Sequence, residues 1–239
     1  MSSGEMKHRN TSFKTIRAQF AFNSKTISMN LADIRKDYRL KVLDENKING
    51  DPLNQFGNWL DEAIEAKVNE PTAMVLATAT PEGVPSSRVV LLKALSDQGF
   101  GFFTNYSSRK GEEIALNQKV ALLFHWPELE RQVRIEGIAT RTSAHVSDEY
   151  FHSRPLESRL SAVISNQSQV VPNREYLEKL WEGQQYKSIE NMIDRPSFWG
   201  GYMIDPFRIE FWQGRSNRLH DRILFTKKEG NWVISRLAP

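Results

Sequence analysis

Short apolar runs separated by turn-forming residues dominate the chain from Thr72 onward. The runs AMVLATAT, SSRVVLLK, FGFFT, VALLFHW and RQVRIEGIATR are rich in β-branched and aromatic residues, and turn signals lie between them at PEG, SDQG and PE. Four further strand-like runs, WGGYMI, RIEFWQ, RILFTK and WVISRL, close the chain. This pattern predicts an antiparallel meander.

Helical periodicity is confined to a few segments. Asp51 can cap a helix whose first turn accepts Pro52. The apolar face of that helix is predicted to consist of Leu53, Phe56, Leu60, Ala63 and Ile64. A first helix is predicted at residues 31–40, a short one after Ser108, and helical pieces at 143–165 and 174–181.

Many short strands with few helices predict an α+β protein that is mainly antiparallel β, a barrel with helical additions. Residues 1–30 mix Ser, Thr, Asn, Lys and Phe without a sustained period, so we expect a flexible N-terminal arm. No repeat, low-complexity tract or linker divides the remainder. Residues 31–239 are therefore predicted to form a single domain.

Composition narrows the class of protein. A content of 39% hydrophobic and 26% charged residues is typical of a water-soluble globular protein. No apolar run approaches the ~18 residues of a membrane helix, and the first ten residues lack the apolar region of a signal peptide, so we expect a cytoplasmic protein without a membrane partner. The absence of cysteine excludes disulfides, thiolate metal sites and a cysteine nucleophile.

Several common functional motifs are missing. GFGFFT lacks the third glycine of a dinucleotide fingerprint and reads as a strand, and there is no phosphate loop, G-x-S-x-G elbow or H-E-x-x-H motif. The five histidines show no metal-ligand spacing, so no metal is expected. The net charge of +3 is mild, and no RNP-like sequence or dense basic block accompanies it, which argues against a nucleic-acid partner.

Cations placed inside or beside strands are more informative, because a charge is costly there unless an anion meets it. Arg88 and Lys93 bracket the run VVLL, and their odd separation places them on opposite faces of a regular strand. Arg109 and Lys110 follow Ser108 in the first turn of a predicted helix, a favourable seat for a phosphate. The alternative is that Arg109 and Lys110 are solvated and that Arg88 pairs with a carboxylate.

Two further concentrations of polar side chains follow. In YFHSRPLES, Tyr150, Arg154 and Ser158 recur at four-residue intervals, on one helical face unless Pro155 interrupts it. The stretch FWQGRSNRLHDR combines aromatic and hydrogen-bonding side chains around a glycine turn, which suits a polar ligand beside an aromatic wall. Its candidate residues are Trp212, Gln213, Arg218, His220 and Arg222.

These motifs resemble one known family. RVVLLK, FFTNYSSRKG, ERQVRIEG, YFHSRP, SNQS, SFWGGY, EFWQG, NRLHDR and the terminal RLAP are similar, in order, to pyridoxine/pyridoxamine 5'-phosphate oxidases over residues 33–239. The resemblance implies an FMN-binding split β-barrel with flanking helices. It also implies a homodimer that builds each active site at the subunit interface.

The resemblance implies site residues by position. Flavin contacts would be Arg88, Val89, Val90, Leu91, Leu92, Lys93, Phe103, Thr104, Arg109, Lys110, Gln132, Gln167, Ser168, Trp212 and Arg222, with the FMN phosphate near Arg88, Arg109 and Lys110. Substrate contacts would be Arg35, Lys36, Asp37, Tyr38, Lys93, Tyr150, Arg154, Ser158, Arg218, Leu219 and His220. Arg218 and His220 would be the catalytic pair. The chain departs from the family pattern at Phe103, often Tyr, and at Ser161, often Gly.

The implied activity is oxidation of pyridoxine or pyridoxamine 5'-phosphate by molecular oxygen to pyridoxal 5'-phosphate and hydrogen peroxide, with ammonia from the amine. Such a reaction serves vitamin B6 cofactor biosynthesis and salvage. A flavin reductase on the same barrel would not need Tyr150, Arg154 and Ser158 together. A non-catalytic module that stores FMN or pyridoxal phosphate would keep the phosphate seats without turnover, and a nucleic-acid binder would lack a yellow chromophore.

Overall fold

A computed structural model describes residues 37–188 and 193–239, the side chains of 184–188 excepted. Residues 37–239 cluster as one compact unit. The predicted arm at 1–30 and most of the predicted helix at 31–40 lie outside the described residues. Residues 37–40 are not helical, so that part of the helix prediction is wrong. In the described part of the chain, no helix has the length and apolar character to cross a membrane.

Five α-helices are described, and they begin close to the predicted positions. They are α1 (Pro52–Glu65), α2 (Arg109–Leu116), α3 (Ala144–Ser153), α4 (Leu156–Ile164) and α5 (Arg174–Ser188). The side chain of Asp51 accepts hydrogen bonds from the backbone of Leu53 and Asn54 and caps α1 as expected.

The buried face of α1 differs from the prediction at Ile64 and at Trp59. Phe56 and Ala63 are fully buried and Trp59 is nearly so, whereas Ile64 is 51% exposed. Ile64 therefore does not belong to the core face. Trp59 belongs there instead, at the i+3 position from Phe56 on the same side of the helix.

Nine strands in the described residues form one sheet in which every pairing is antiparallel. They are β1 (Ala73–Ala79), β2 (Pro85–Leu91), β3 (Ala94–Ser96), β4 (Gly99–Asn105), β5 (Lys119–Trp126), β6 (Arg131–Arg141), β7 (Trp199–Gln213), β8 (Asp221–Lys228) and β9 (Asn231–Arg236). The order is β2-β1-β5-β6-β7-β4-β3, with β8 between β7 and β9. The prediction of a simple meander is therefore wrong, because β1 pairs with β5 and β4 pairs with β7.

The two predicted strands WGGYMI and RIEFWQ are a single strand, β7. It runs through Pro206, where a register shift opposite Glu136 and Gly137 leaves Phe207 unpaired. A bulge tolerates proline because the missing N–H removes no ladder bond there. Strand β6 follows one edge of β7, while β4 and then β8 occupy successive parts of the other edge. The sheet divides at this point and curls.

Aromatic side chains fill the space between α1 and the curled sheet. The Phe56 ring lies 4.9 Å from that of Phe100 and 4.7 Å from that of Phe124, and all three residues are fully buried. Strand β1 contributes Met74 and Leu76 to this core, in the alternation expected of a strand with one buried face. The candidate site begins beside this core, at the ends of β2 and β4.

Candidate functional site

A cavity of about 380 Å³ lies between the end of β2, the end of β4, the start of α2 and the α3–α4 pair. Its volume falls within the range of ligand pockets. Predicted flavin contacts that line it are Val89, Val90, Leu91, Phe103, Thr104, Lys110 and Gln167. Predicted substrate contacts that line it are Lys93, Tyr150 and Arg154. Residues far apart in sequence are thus brought to one place.

Lys110 is a buried cation in this cavity, with only 8% of its surface exposed. Its Nζ donates hydrogen bonds to Thr104 Oγ1 at 3.1 Å, Ser108 Oγ at 3.1 Å and Gln167 Oε1 at 2.8 Å. All three acceptors are neutral. Burial, together with the charge of Arg88, lowers the pKa of Lys110 to about 8. An anion in the cavity would reverse that shift.

The other two predicted phosphate-binding cations contact a carboxylate. Glu113 accepts hydrogen bonds from Arg88 Nη2 at 3.3 Å and from Arg109 Nε at 2.8 Å. Arg88 is not among the residues that line the cavity, and the side chain of Arg109 is 62% exposed. The carboxylate pairing of Arg88, considered above as the alternative, is therefore present.

Glu113 is itself buried and strongly hydrogen-bonded. Burial alone would raise the pKa of Glu113, but hydrogen bonds from Ser86, Thr78 and Arg109 outweigh it and lower the pKa to about 2. Since Glu113 lies on α2 while Thr78 and Ser86 lie on β1 and β2, this carboxylate ties the helix to the hairpin. The first turn of α2 is thereby fixed beside the cavity.

Tyr150 and Arg154 reach the cavity from the junction of two helices. Helix α3 ends at Ser153, Arg154 is extended, and α4 begins after Pro155. Ser158, on α4, is not among the cavity-lining residues. The Nη1 atom of Arg154 is buried and has no hydrogen-bond partner within the described part of the chain. Burial lowers the pKa of Arg154 and raises that of Tyr150.

Several lining residues were missed by the sequence reasoning, namely Asn105, Ala162, Ser165 and Trp199. Trp199 is the most informative, because its ring is parallel to that of Tyr150 within 4° and to that of Phe103 within 14°. The sequence places Trp199 at the start of a predicted strand, and its motif SFWGGY does not indicate that the ring lines a cavity. Ser161 lines the cavity and donates a hydrogen bond from Oγ to Glu157 O at 2.9 Å.

A second group of predicted residues lies on β6, β7 and β8 and does not line this cavity. Gln132 pairs with Trp212 across β6 and β7, and Trp212 pairs with Arg222 across β7 and β8, so the three form one row. Arg222 donates two hydrogen bonds to Glu210, from Nε at 2.8 Å and from Nη2 at 3.1 Å. The row is thus fixed by the sheet and by an ion pair.

His220 lies beside this row, with its ring centre 4.6 Å from that of Trp212. The ring of Tyr38 is 5.8 Å from both rings. The backbone N–H of Arg215 donates to His220 Nδ1 at 3.1 Å, so in the neutral ring the proton is on Nε2. His220 is therefore arranged as a hydrogen-bond donor through Nε2.

The remaining predicted residues are placed as follows. Arg218 and Leu219 are exposed on the turn before β8, and Arg218 has a left-handed backbone with φ of 60°. Leu92 is buried, Ser168 is exposed, and Asp37 forms an ion pair with Arg39. Arg35 and Lys36 lie outside the described residues.

Solved structures with a similar fold define the class of protein. The PhzG protein from Burkholderia lata, solved in complex with tetrahydrophenazine-1-carboxylic acid, has a TM-score of 0.79 at 30% identity and covers 84% of this chain and 99% of its own. A pyridoxamine 5'-phosphate oxidase-related, FMN-binding protein from Nostoc punctiforme has a TM-score of 0.65 at 16% identity, covering 80% and 100%. The fold is that of the FMN-binding split barrels.

Sequence comparison then identifies the family. Residues 60–183 match the family described as pyridoxamine 5'-phosphate oxidase, and residues 199–239 match the C-terminal dimerisation region of pyridoxine 5'-phosphate oxidase. Pyridoxine/pyridoxamine 5'-phosphate oxidases of Trichormus variabilis and Ralstonia pickettii are 51% and 53% identical over 210 residues, or 87% of this chain and 98% and 99% of theirs. The chain belongs to the pyridoxine/pyridoxamine 5'-phosphate oxidase family.

Proposed function

We propose that the protein catalyses FMN-dependent oxidation of pyridoxine 5'-phosphate or pyridoxamine 5'-phosphate to pyridoxal 5'-phosphate. The observation that carries this proposal is the presence of two cations, the buried Lys110 and the half-buried Arg154 with its unpartnered Nη1, in one cavity that has no carboxylate among its lining residues. Uncompensated buried cations are costly unless an anion occupies the site. Two phosphate monoesters, one on the cofactor and one on the substrate, would satisfy both.

The residues present fit FMN. Lys110 and the backbone N–H groups at the start of α2 would hold its phosphate, since a helix N-terminus favours an anion. Val89 to Leu91 would offer an apolar wall for the flavin ring, and Gln167 would offer amide hydrogen bonds. Arg88 and Arg109, which share Glu113, would complete the phosphate site by turning part of their hydrogen-bonding capacity to the ligand.

The substrate phosphate would lie at Lys93, Tyr150 and Arg154, with Ser158 at its edge. The free Nη1 of Arg154 suits a phosphate oxygen, because a guanidinium binds such groups with two parallel hydrogen bonds. Tyr150 would add a hydroxyl donor. Its pKa, raised by burial, keeps that hydroxyl protonated at neutral pH. The segment with Arg35, Lys36, Asp37 and Tyr38 would cover the bound substrate.

The second group of residues would come from a partner copy in a homodimer. Gln132, Trp212 and Arg222 form one row, and Trp212, Arg222, Arg218 and His220 fall within the matched dimerisation region. An interface active site would explain why the cavity contains the proposed phosphate-binding residues and one wall for the flavin ring, while Arg218 and His220, the candidates for the substrate ring, lie elsewhere on the same chain. Each site of the dimer would then need both subunits.

FMN, when bound, would supply the hydride acceptor for the substrate, and molecular oxygen would take up the two electrons as hydrogen peroxide. The alcohol substrate gives the aldehyde directly; the amine gives an imine that water converts to the aldehyde and ammonia. Arg218 would cover the face of the substrate opposite the flavin. His220 would donate a hydrogen bond from Nε2 to the oxygen substituent on the pyridine ring or to a bound water. Both would orient the substrate, and neither would act as an obligatory base.

A direct assay tests this proposal. The purified protein should be yellow with bound FMN, and pyridoxine 5'-phosphate should yield the aldehyde and hydrogen peroxide in equal amounts with oxygen uptake. A nicotinamide-dependent flavin reduction without aldehyde formation would favour the reductase alternative. Tight FMN or pyridoxal phosphate binding without turnover would favour a storage module. We place the reaction in the cytoplasm, as part of vitamin B6 cofactor biosynthesis and salvage.

A further inference from the structure

Arg154 does not stand alone in the cavity wall. The centre of its guanidinium lies 4.7 Å from the centre of the Trp199 ring, within the range of a cation–π contact, and Trp199 is only 6% exposed. The same guanidinium is 5.9 Å from the ring of Phe151, which is fully buried. Aromatic rings therefore cover part of the guanidinium, while Nη1 is left without a protein partner.

Trp199 is itself fixed to the helix that presents Tyr150. Arg195 donates from Nη1 to the backbone oxygen of Trp199 at 2.5 Å and from Nε to Asp148 Oδ1 at 2.6 Å. Asp148 lies on α3, two residues before Tyr150. The side chain of Arg195 is 12% exposed, so this link between β7 and α3 is largely shielded from solvent.

The aromatic rings continue this arrangement. The ring centres of Phe103 and Tyr150 are 3.9 Å apart with an 18° angle, and those of Phe103 and Trp199 are 5.7 Å apart. Phe103 is on β4, Tyr150 on α3 and Trp199 on β7. Three elements therefore converge on one aromatic stack beside Arg154.

We propose that Trp199 is a positioning residue whose indole ring seats the Arg154 guanidinium so that its free edge meets the substrate phosphate. An arginine side chain loses substantial rotamer entropy on binding, and a ring that already holds it in place reduces that loss. Trp199 would therefore govern affinity for the phosphate and leave the oxidation step unchanged. This inference rests on the proposed function.

The test compares Trp199→Leu, Trp199→Phe and Arg154→Ala in the holoenzyme. Binding of pyridoxal 5'-phosphate and of pyridoxal, which lacks the phosphate, is measured by equilibrium dialysis, and kcat and KM are measured with pyridoxine 5'-phosphate. Trp199→Leu should weaken pyridoxal 5'-phosphate binding and raise KM by about tenfold, as expected for loss of a desolvated cation–π contact. Pyridoxal binding and kcat should change less than about twofold.

The double variant separates positioning from general damage. In an Arg154→Ala background, Trp199→Leu should weaken pyridoxal 5'-phosphate binding no further, because the guanidinium that Trp199 would position is absent. Trp199→Phe keeps an aromatic face and should give an intermediate effect; it also provides the test if the leucine variant does not fold. Trp232→Leu is the matched control, since Trp232 lies on β9, contacts Lys227 of β8 through its ring and is not among the residues that line the cavity.

Additive effects in the double variant, or equal weakening of pyridoxal and pyridoxal 5'-phosphate binding, would overturn the inference. Failure of the proposed function looks different, because the unaltered protein would then form no aldehyde. In that case, displacement of bound pyridoxal 5'-phosphate by inorganic phosphate still tests whether Trp199 positions Arg154 for phosphate binding. Weaker competition in Trp199→Leu supports it, and unchanged competition refutes it.

Discussion

At the scale of single residues, the site depends on a few side chains whose environment differs from that of ordinary surface groups. Lys110 is surrounded by neutral acceptors, Nη1 of Arg154 is buried without a partner, and Arg218 has a left-handed backbone. Each arrangement carries an energetic cost in the free protein. Such costs are common at binding sites, where a ligand compensates for them.

The lowered pKa of Lys110 predicts that the proposed binding of FMN depends on pH. A bound phosphate would raise the pKa of Lys110 above the value of about 8 that it has in the ligand-free protein. Binding would then take up a proton above about pH 8, so the affinity should fall as pH rises from there. The dissociation constant of FMN, measured by fluorescence titration of the apoprotein, should rise towards about tenfold per pH unit in that range. In Lys110→Met the dissociation constant of FMN should change less with pH. In Lys119→Met, a control at an exposed lysine, it should change with pH as in the unaltered protein.

Substitutions of Arg218 should lower the activity without lowering the stability of the protein. A left-handed backbone is strained for arginine but not for glycine, while glycine has more freedom to lose on folding. Arg218→Gly should therefore leave the free energy of unfolding unchanged or raise it by up to about 1 kcal/mol. Both Arg218→Gly and Arg218→Ala should lower kcat/KM by about tenfold or more. Unchanged kcat/KM would remove Arg218 from the proposed mechanism.

At the scale of elements, helix α2 is held in place by Glu113. This one carboxylate accepts hydrogen bonds from Thr78 on β1 and from Ser86 and Arg88 on β2, and from Arg109 on its own helix. The position of the α2 N-terminus, and hence of the proposed FMN phosphate site, follows from these contacts. The apolar face of α2 contributes little beyond the buried Ile114.

Removal of this carboxylate should be measurable as a loss of stability. The pKa of Glu113 in the folded protein, about 2, is below its usual 4.5, so its stabilising effect is complete above pH 4.5 and is lost as pH falls towards 2. Glu113→Gln should lower the free energy of unfolding at pH 7 by about 3 kcal/mol.

Urea unfolding at pH 7 and at pH 3 checks this prediction. The difference between Glu113→Gln and the unaltered protein should shrink at the lower pH, because the native carboxylate approaches protonation there. Glu112→Gln changes an exposed neighbouring carboxylate and serves as the control. A difference that is the same at both pH values would contradict the assigned pKa of Glu113.

At the scale of the whole molecule, the proposed active site has two separated halves on one chain. Lys93, Tyr150 and Arg154 line the cavity, whereas Trp212 and His220 lie together elsewhere. The match of residues 199–239 to a dimerisation region supports their meeting across a subunit interface. A half-site of one subunit should then be able to form an active site with the other half-site of a different subunit.

Mixing two inactive variants tests that arrangement. Arg154→Ala and Arg218→Ala should each have little activity, but co-expressed together they should form heterodimers with one intact site. Random pairing predicts about a quarter of the full activity per subunit. Gel filtration should show a dimer in each case, and activity no greater than that of the separate variants would argue against shared sites.

The sequence by itself determined the elements, because alternation of apolar residues, caps and turns act locally. It predicted a helix at the position of each of the five described α-helices, although α5 extends to Ser188 where the prediction ended at 181, and it predicted the β-rich centre of the chain and, through the family resemblance, most lining residues. It misjudged Ile64 on α1 and the division of β7, since side-chain packing and bulges depend on neighbouring elements.

Only the tertiary structure decided which residues meet. Strand pairing is non-local, so the sequence pattern suggested a meander where β4 in fact pairs with β7 and brings Phe103 opposite Gly201, beside Trp199. The same pairing places Trp199 under Arg154, and the contact of Arg88 with Glu113 likewise arises between β2 and α2. Local chemistry fixes what each segment can become, whereas distances between segments depend on how the sheet curls around its core.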